Sequence, residues 1–93
     1  MTLSSEETRL KMLHMRSWRR GMKEMDLIFG TFADAHLRAL SPDDLDAYER
    51  LLSENDQDLY LWVTGAQTGP AEHAPIIDRI ARAVGVSKNP IYN

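Results

Sequence analysis

The chain has 93 residues, of which 43% are hydrophobic and 27% charged, and its formal net charge at pH 7 is −3. This composition indicates one globular domain, and the absence of cysteine excludes a disulfide scaffold, a thiolate metal site and a thiol nucleophile. No apolar run approaches the roughly 20 residues that cross a bilayer, and the N-terminal sequence resembles neither a signal nor a transit peptide, so we predict a cytoplasmic protein without membrane insertion.

The first predicted helix begins near Ser5, because Ser4 and Glu7 have the spacing of a capping box. Gly21 is the natural break before the next helix. The predicted inner side of this first helix contains Leu10, Leu13 or His14, Ser17 and Trp18.

The second predicted helix runs from about Met22 to Ala39 and has the clearest helical periodicity in the chain. Gly30 lies inside it and costs roughly 1 kcal/mol relative to alanine, so we expect a neighbouring element to approach closely there. The predicted apolar stripe contains Met22, Met25, Phe29, Phe32 and His36, broadened by Ile28 and Ala35.

Strong helix-start signals open the third helix, where Ser41 caps and Pro42 takes the first helical position. This helix should fray near Asn55, and a short fourth helix should then run from about Asp56 to Gly65. The residues predicted to be buried are Leu45, Tyr48, Leu51 and Leu52 in the third helix, and Leu59, Trp62 and Val63 in the fourth.

A loop at residues 67–70 precedes a fifth helix that begins near Ala74 and ends at Gly85. No stretch alternates with period two for long enough to make a strand. The prediction is therefore an all-α, compact five-helix bundle in a single domain (1–93), with a core at about residues 5–85 and a mobile tail at 86–93. The side chains predicted to be buried in the fifth helix are Ile76 or Ile77, Ile80 and Val84.

Charge is distributed unevenly along the chain. Six basic residues and no acidic ones lie between Arg9 and Lys23, which predicts a basic face for an anionic partner or, equally well, a solvated helix surface. DNA binding is disfavoured, because the third and fourth helices carry many acidic residues that would repel phosphates. We therefore expect no nucleic-acid partner.

The side chains that most often carry catalysis or bind metals show no useful spacing. His14, His36 and His73 lie on different predicted elements without a paired carboxylate at ligand spacing, so we predict no metal site. No phosphate-binding glycine loop follows a strand, and no catalytic triad can be argued. We predict a protein that is not an enzyme and has no catalytic residue.

A cation, a glycine and an anion lie within one turn at Arg20, Gly21 and Glu24. They fit either a simple helix junction with a surface Arg20–Glu24 pair or a rigid charged surface offered to another macromolecule. Trp18 likewise fits either a core position or a partner anchor. Physical chemistry alone leaves both pairs of alternatives open.

Two segments resemble the succinate dehydrogenase assembly factor family, also called flavinators or FAD assembly factors. Residues 18–27 match its Arg-Gly-x-x-Glu signature, with Asp26 at the position of a commonly following acid. Residues 51–62 resemble its leucine pair, acidic turn and Asp-Leu-x-x-Trp. The departures are small: Met25 stands where leucine is frequent, and Gln57 where proline often occurs.

The resemblance implies a five-helix chaperone that binds the flavoprotein subunit of succinate dehydrogenase, and in some bacteria of fumarate reductase. Such a protein promotes covalent linkage of FAD to its partner and holds no stably bound cofactor of its own. When the family's contact residues are matched to this sequence by position, the resemblance implies a contact core and a group of supporting residues. The contact core is Arg20, Gly21 and Glu24, and the supporting residues are Trp18, Arg19, Lys23 and Asp26.

A different class of function would use the same basic face. A small helical adaptor or an antitoxin-like regulatory module would bind another acidic partner through it. The identity of the protein captured by co-purification distinguishes this alternative from a flavoprotein chaperone.

Overall fold

The computed structural model of the protein describes residues 4–85, which form five α-helices and no strand. The same residues form two short 3-10 turns, at Leu37–Ala39 and Ala71–His73. The predicted all-α five-helix fold is confirmed. The helices are α1 (Ser5–Trp18), α2 (Lys23–His36), α3 (Pro42–Leu52), α4 (Asp56–Val63) and α5 (Ala74–Ala83).

Side-chain caps set the beginning of three helices. The hydroxyl of Ser4 accepts a hydrogen bond from the backbone N–H of Glu7, and Ser41 caps α3 in the same way through Asp44. Asn55, where we predicted that the third helix frays, instead caps α4 by accepting from the N–H of Asp58. A polar side chain that satisfies a free N–H therefore fixes where each of these helices starts.

The predicted second helix is too long at both ends. Met22 is its N-terminal cap, and the α-helix ends at His36, beyond which the chain tightens into the 3-10 turn Leu37–Ala39. This turn brings Leu37 into the core, where it is 3% exposed. Tightening of the last turn is common at helix ends, where carbonyl groups lack α-helical partners.

Most of the predicted core positions are buried, with a few exceptions. Leu13 faces the core and His14 is exposed, which decides the alternative left open in α1. Ala35 is exposed, whereas Ala33 is buried in its place, and Trp62 is only partly buried. Ile76 and Ile77 are both buried, so α5 packs with a broader face than one apolar stripe.

The close approach predicted at Gly30 is confirmed, and Trp18 is the neighbour. A Cβ atom built at Gly30 would lie 2.1 Å from the Trp18 ring, so only glycine lets the indole lie against α2. The Trp18 indole N–H also donates to Asp34, at 3.1 Å. Trp18 therefore fastens α1 to α2.

Tyr48 of α3 lies at the centre of the core. Its ring stacks on Phe32 with centroids 5.4 Å apart and lies against Phe29 at a tilt. The Tyr48 hydroxyl is 2.6 Å from the buried Ser17 hydroxyl, which donates in turn to the carbonyl of Leu13. A polar group that is fully buried thus keeps its hydrogen bonds, as it must to avoid a desolvation penalty.

The remaining predictions concern the C-terminal end and membranes. Gly85, with φ +74°, follows α5 as predicted, while the tail predicted to be mobile lies outside the described residues. Within residues 4–85, every helix is too short or too polar to cross a bilayer.

The buried hydroxyl of Tyr48 predicts a specific alkaline instability. Burial raises its pKa to about 12, although the hydrogen bond with Ser17 opposes the shift. The folded pKa exceeds the unfolded value of about 10. The contribution of the neutral hydroxyl to the free energy of unfolding is therefore complete below pH ~10 and is lost as pH rises towards ~12. A difference of two pKa units corresponds to a loss of about 3 kcal/mol in the free energy of unfolding.

Urea unfolding measured from about pH 8 to pH 12 tests this prediction. The free energy of unfolding should fall more steeply in the wild type than in Tyr48→Phe, which retains the ring and leaves Ser17 bonded to Leu13. Parallel pH profiles for the two proteins would contradict it.

Candidate functional site

The charged turn, defined as residues 19–24, joins α1 to α2 at one end of the bundle. Gly21 adopts φ +121°, a backbone conformation that side chains rarely permit. Arg19, Gly21, Lys23 and Glu24 are exposed, whereas Arg20 is largely enclosed. The turn therefore has an outer face and an inner anchor.

Arg20 is that anchor, and its guanidinium binds the turn between α3 and α4. Its Nε donates to Asp56 at 2.8 Å, and its two terminal nitrogens donate to the backbone carbonyls of Leu52 at 2.7 Å and Glu54 at 2.8 Å. We call these three hydrogen bonds the Arg20 network. The Arg20 side chain is only 10% exposed and also lies 5.9 Å from the centre of the Phe29 ring.

The Arg20 network satisfies groups that would otherwise lack partners. Leu52 is the last residue of α3, so its carbonyl is one of those that the helix leaves without an intrahelical donor. A cation at the negative end of a helix is also electrostatically favourable. Arg20 therefore caps α3 and, through Asp56, holds the first residue of α4.

Asp26 anchors the same turn from α2. Its carboxylate accepts a hydrogen bond from the backbone N–H of Arg20 at 2.5 Å. Asp26 and Trp18, both carried over from the family as supporting partner contacts, thus make internal contacts in this chain. Both side chains are partly buried, so each offers only part of its surface to a partner.

Gly21 lies directly over the Arg20 network. A Cβ atom added at Gly21 would come within 3.1 Å of the second carboxylate oxygen of Asp56, in addition to the strain of a positive φ. Glycine is therefore needed here for two reasons, the backbone conformation and the closeness of Asp56. Substitution would disturb the anchor as well as the outer face.

The surface pair between Arg20 and Glu24, one of the two alternatives left open by the sequence, does not form. Arg20 points inward to Asp56, a partner 36 positions away in sequence, and Glu24 lies exposed on the first turn of α2. Sequence spacing suggested the nearer partner because residues four apart are neighbours on a helix, but Arg20 precedes α2 and lies in non-helical backbone. The outward-facing charges of the turn are those of Arg19, Lys23 and Glu24.

The predicted basic face is partly neutralised. Arg9 forms ion pairs with Asp46 at 2.7 Å and Glu49 at 2.6 Å on α3. Arg16 comes no nearer than 4.0 Å to Glu49. In the 4–85 region, Lys11, Arg19 and Lys23 make no ion pair. The free positive charge is therefore concentrated on the outer side of α1 and the charged turn.

Two histidines have carboxylate neighbours that sequence spacing did not predict. His14 contacts Asp34, whose pKa is lowered by this hydrogen bond and by a second one from Trp18. His73, only 3% exposed, lies 2.9 Å from Glu54 and 3.8 Å from Glu72.

The side chains of Glu54, Glu72 and His73 come close enough to hold a cation. Their ligand atoms all lie within 4.8 Å of one another. Sequence spacing did not indicate this group, because Glu54 comes from another element of the fold. The contact between His73 Nε2 and the Glu54 carboxylate, at 2.9 Å, holds two members of this group together.

Comparison with known proteins places most of the chain in one family. Residues 11–84 match the family model described as flavinator of succinate dehydrogenase. A protein of Aspergillus terreus named succinate dehydrogenase assembly factor 2, mitochondrial, is 41% identical over 78 residues, which cover 81% of this chain and 25% of that protein.

Two other relatives agree with this match. The protein of the same name from Meyerozyma guilliermondii is 43% identical over 63 residues, covering 68% of this chain and 47% of the relative. Succinate dehydrogenase assembly factor 2-A, mitochondrial, of Drosophila yakuba is 37% identical over 78 residues, which cover 82% of this chain and 48% of the relative. The chain thus spans a quarter to about half the length of these curated relatives.

The names of these relatives overturn one prediction. All three are named as mitochondrial proteins, which points to mitochondria rather than the cytoplasm. The prediction of a cytoplasmic location is therefore wrong. It rested on the lack of a long apolar run and on the composition of the first residues, which carry little information about where homologous proteins act.

Arg20 and its neighbour Arg19 form a matched pair for testing the anchor. Arg20→Ala should lower the free energy of unfolding by about 2–4 kcal/mol, because it leaves a carboxylate and two carbonyls without their donor. Arg19→Ala should change it by no more than about 0.5 kcal/mol, since Arg19 is exposed. Urea unfolding followed by circular dichroism measures both, and equal losses would contradict the Arg20 network.

Proposed function

Because the chain belongs to the family of succinate dehydrogenase flavinators, we propose that it is an assembly factor that binds the flavoprotein subunit of succinate dehydrogenase and promotes its covalent flavinylation. In this proposal the chain is a chaperone rather than an enzyme. The observation that carries it is the charged turn, the family's Arg-Gly-x-x-Glu segment, held rigid with Gly21 and Glu24 outermost. The longer relatives named as succinate dehydrogenase assembly factors support the same role.

The geometry of the charged turn suits insertion into a partner. Gly21 presents bare backbone at the exposed tip, so a partner backbone can approach it closely. The exposed Arg19, Lys23 and Glu24 offer both signs of charge within six consecutive residues. Such a surface can pair with a carboxylate and an arginine of the partner at once, which favours one docking orientation.

The Arg20 network makes this surface rigid before the partner arrives. Three hydrogen bonds from Arg20 and one from its backbone N–H fix the turn to α2, α3 and α4. A preorganised surface loses less conformational entropy on binding than a flexible one. Arg20 therefore acts in this proposal as a positioning residue, behind the residues that touch the partner.

Docking can promote flavinylation without any catalytic group in this chain. Attachment of a histidine to the flavin methyl group needs an ordered, water-poor site in which negative charge on the ring is stabilised. A helper that binds only the closed arrangement of the flavoprotein raises the population of that arrangement. The chain supplies binding energy, and the flavoprotein supplies the reacting groups.

This proposal places FAD in the partner and not in the chain. Purified protein should therefore be colourless, and its addition should increase the flavin that stays attached to the partner after denaturation. Fumarate reductase, a second client that the family resemblance implies for some bacteria, is tested by the same assay with its own flavoprotein subunit.

Glu24 and Glu6 provide the matched test of the contact surface. Both are exposed acids in the first turn of a helix, so their removal should alter helix stability by similar small amounts. Glu24→Ala should lower covalent flavin in the co-expressed partner by about tenfold, as expected for loss of a charged contact worth about 1.4 kcal/mol. Glu6→Ala should leave it unchanged.

The measurement is flavin fluorescence of the denatured, gel-resolved flavoprotein, with thermal unfolding of each variant as the control for folding. Equal flavinylation with and without the wild-type chain would contradict the proposed function. Equal effects of the two substitutions would contradict the assignment of Glu24 to the contact surface.

A further inference from the structure

The outer side of α1 carries an apolar strip beside the charged turn. Met12 is 59% exposed and Met15 is 50% exposed, although methionine is usually buried. Met12, Met15 and Arg16 occupy positions i, i+3 and i+4 on one side of α1, and Arg19, the C-terminal cap of α1, lines the same concavity. We call these four residues the methionine–arginine stripe.

The stripe borders a concavity of about 280 Å³. Its lining consists of the four stripe residues and Arg20, which belongs to the charged turn. Since a water molecule occupies about 30 Å³ of the liquid, this space has room for one large side chain of a partner. The lining thus combines two methionine side chains with three arginine side chains.

The charge around the stripe restricts what fits there. No acidic residue lies between Arg9 and Lys23, and Arg19 makes no ion pair within the described residues. The complementary segment therefore carries an apolar side chain flanked by aspartate or glutamate. Methionine adapts its shape to such a side chain, and arginine is enriched at protein interfaces.

We propose that the methionine–arginine stripe is a second docking surface, which receives an acidic segment of the flavoprotein client with an apolar anchor residue. The inference rests on the proposed function and extends the contact surface from the charged turn along α1. The two surfaces are continuous, because Arg20 lines the concavity and its neighbour Gly21 forms the tip of the turn.

A nucleic acid or a membrane suits the stripe less well. Arg9 and Arg20, at its two ends, are already paired with carboxylates, and Glu49 lies beside Arg16. Phosphate backbones and anionic lipid surfaces favour extended unpaired positive charge. A short apolar patch beside Arg16 and Arg19 fits a single protein segment better.

The rate of methionine oxidation reports whether Met12 and Met15 are exposed or covered by a partner. We expect mild peroxide treatment followed by mass spectrometry to show Met12 and Met15 oxidised rapidly in the free protein, and about tenfold more slowly in the complex with the flavoprotein. Met25, which is fully buried, should react slowly in both and serves as an internal control for folding. Unchanged oxidation of Met12 and Met15 in a complex that does form would overturn the inference.

A binding measurement separates this inference from the proposed function. The double variant Met12→Asp, Met15→Asp should bind the flavoprotein about 30-fold more weakly, the loss expected for hot-spot residues. The control is Leu27→Asp on α2, since Leu27 is 52% exposed and does not line the concavity. All variants should unfold at the temperature of the wild type.

The outcomes are distinct. If the wild type does not bind the flavoprotein, the proposed function fails. If the wild type binds and the double variant binds equally well, only the second surface is overturned. The same holds if Leu27→Asp loses as much affinity as the double variant. Loss of phosphatidylglycerol vesicle binding with unchanged flavoprotein affinity would likewise overturn it, in favour of a membrane surface.

Discussion

The hydrogen bonds of one largely enclosed arginine hold together the end of the bundle that carries the charged turn. Arg20 comes from the turn between α1 and α2 and binds the turn between α3 and α4, so it ties together the two connections that meet there. A charge this far from water is stable only with full compensation, which Asp56 and two carbonyls provide. Removal of Arg20 takes the donor from all three acceptors, and removal of Asp56 leaves the Arg20 charge without its anion.

This arrangement divides the family's signature into inner and outer residues. Arg20 and Asp26 face inward and determine the shape of the turn, whereas Gly21 and Glu24 face outward and are available to a partner. A loss of function from a substitution in the signature can therefore have two physical causes. One is loss of a contact with the partner, and the other is loss of the shape that presents it.

The sequence predicted the helices well because their signals are local. Caps such as Ser4 and Ser41 and the periodic apolar stripes depend on residues a few positions apart, and the five helices were found from them. The partners of Arg20 and His73 could not be predicted in this way, because Asp56 and Glu54 lie 36 and 19 positions away. Only the fold brings them together. The second family-like segment, residues 51–62, contains both acids. The sequence therefore marked them, but only the structure shows that they bind Arg20 and His73.

The most direct test of this account is a double-mutant cycle between Arg20 and Asp56, measured as affinity for the flavoprotein subunit. If Arg20 acts by positioning the turn, Arg20→Gln, Asp56→Asn and the double variant should weaken binding to a similar extent, since each breaks the same network. If Arg20 instead contacts the partner directly, Arg20→Gln should lower the affinity more than Asp56→Asn does. The two losses of binding free energy should then add in the double variant. The second result would contradict the central claim.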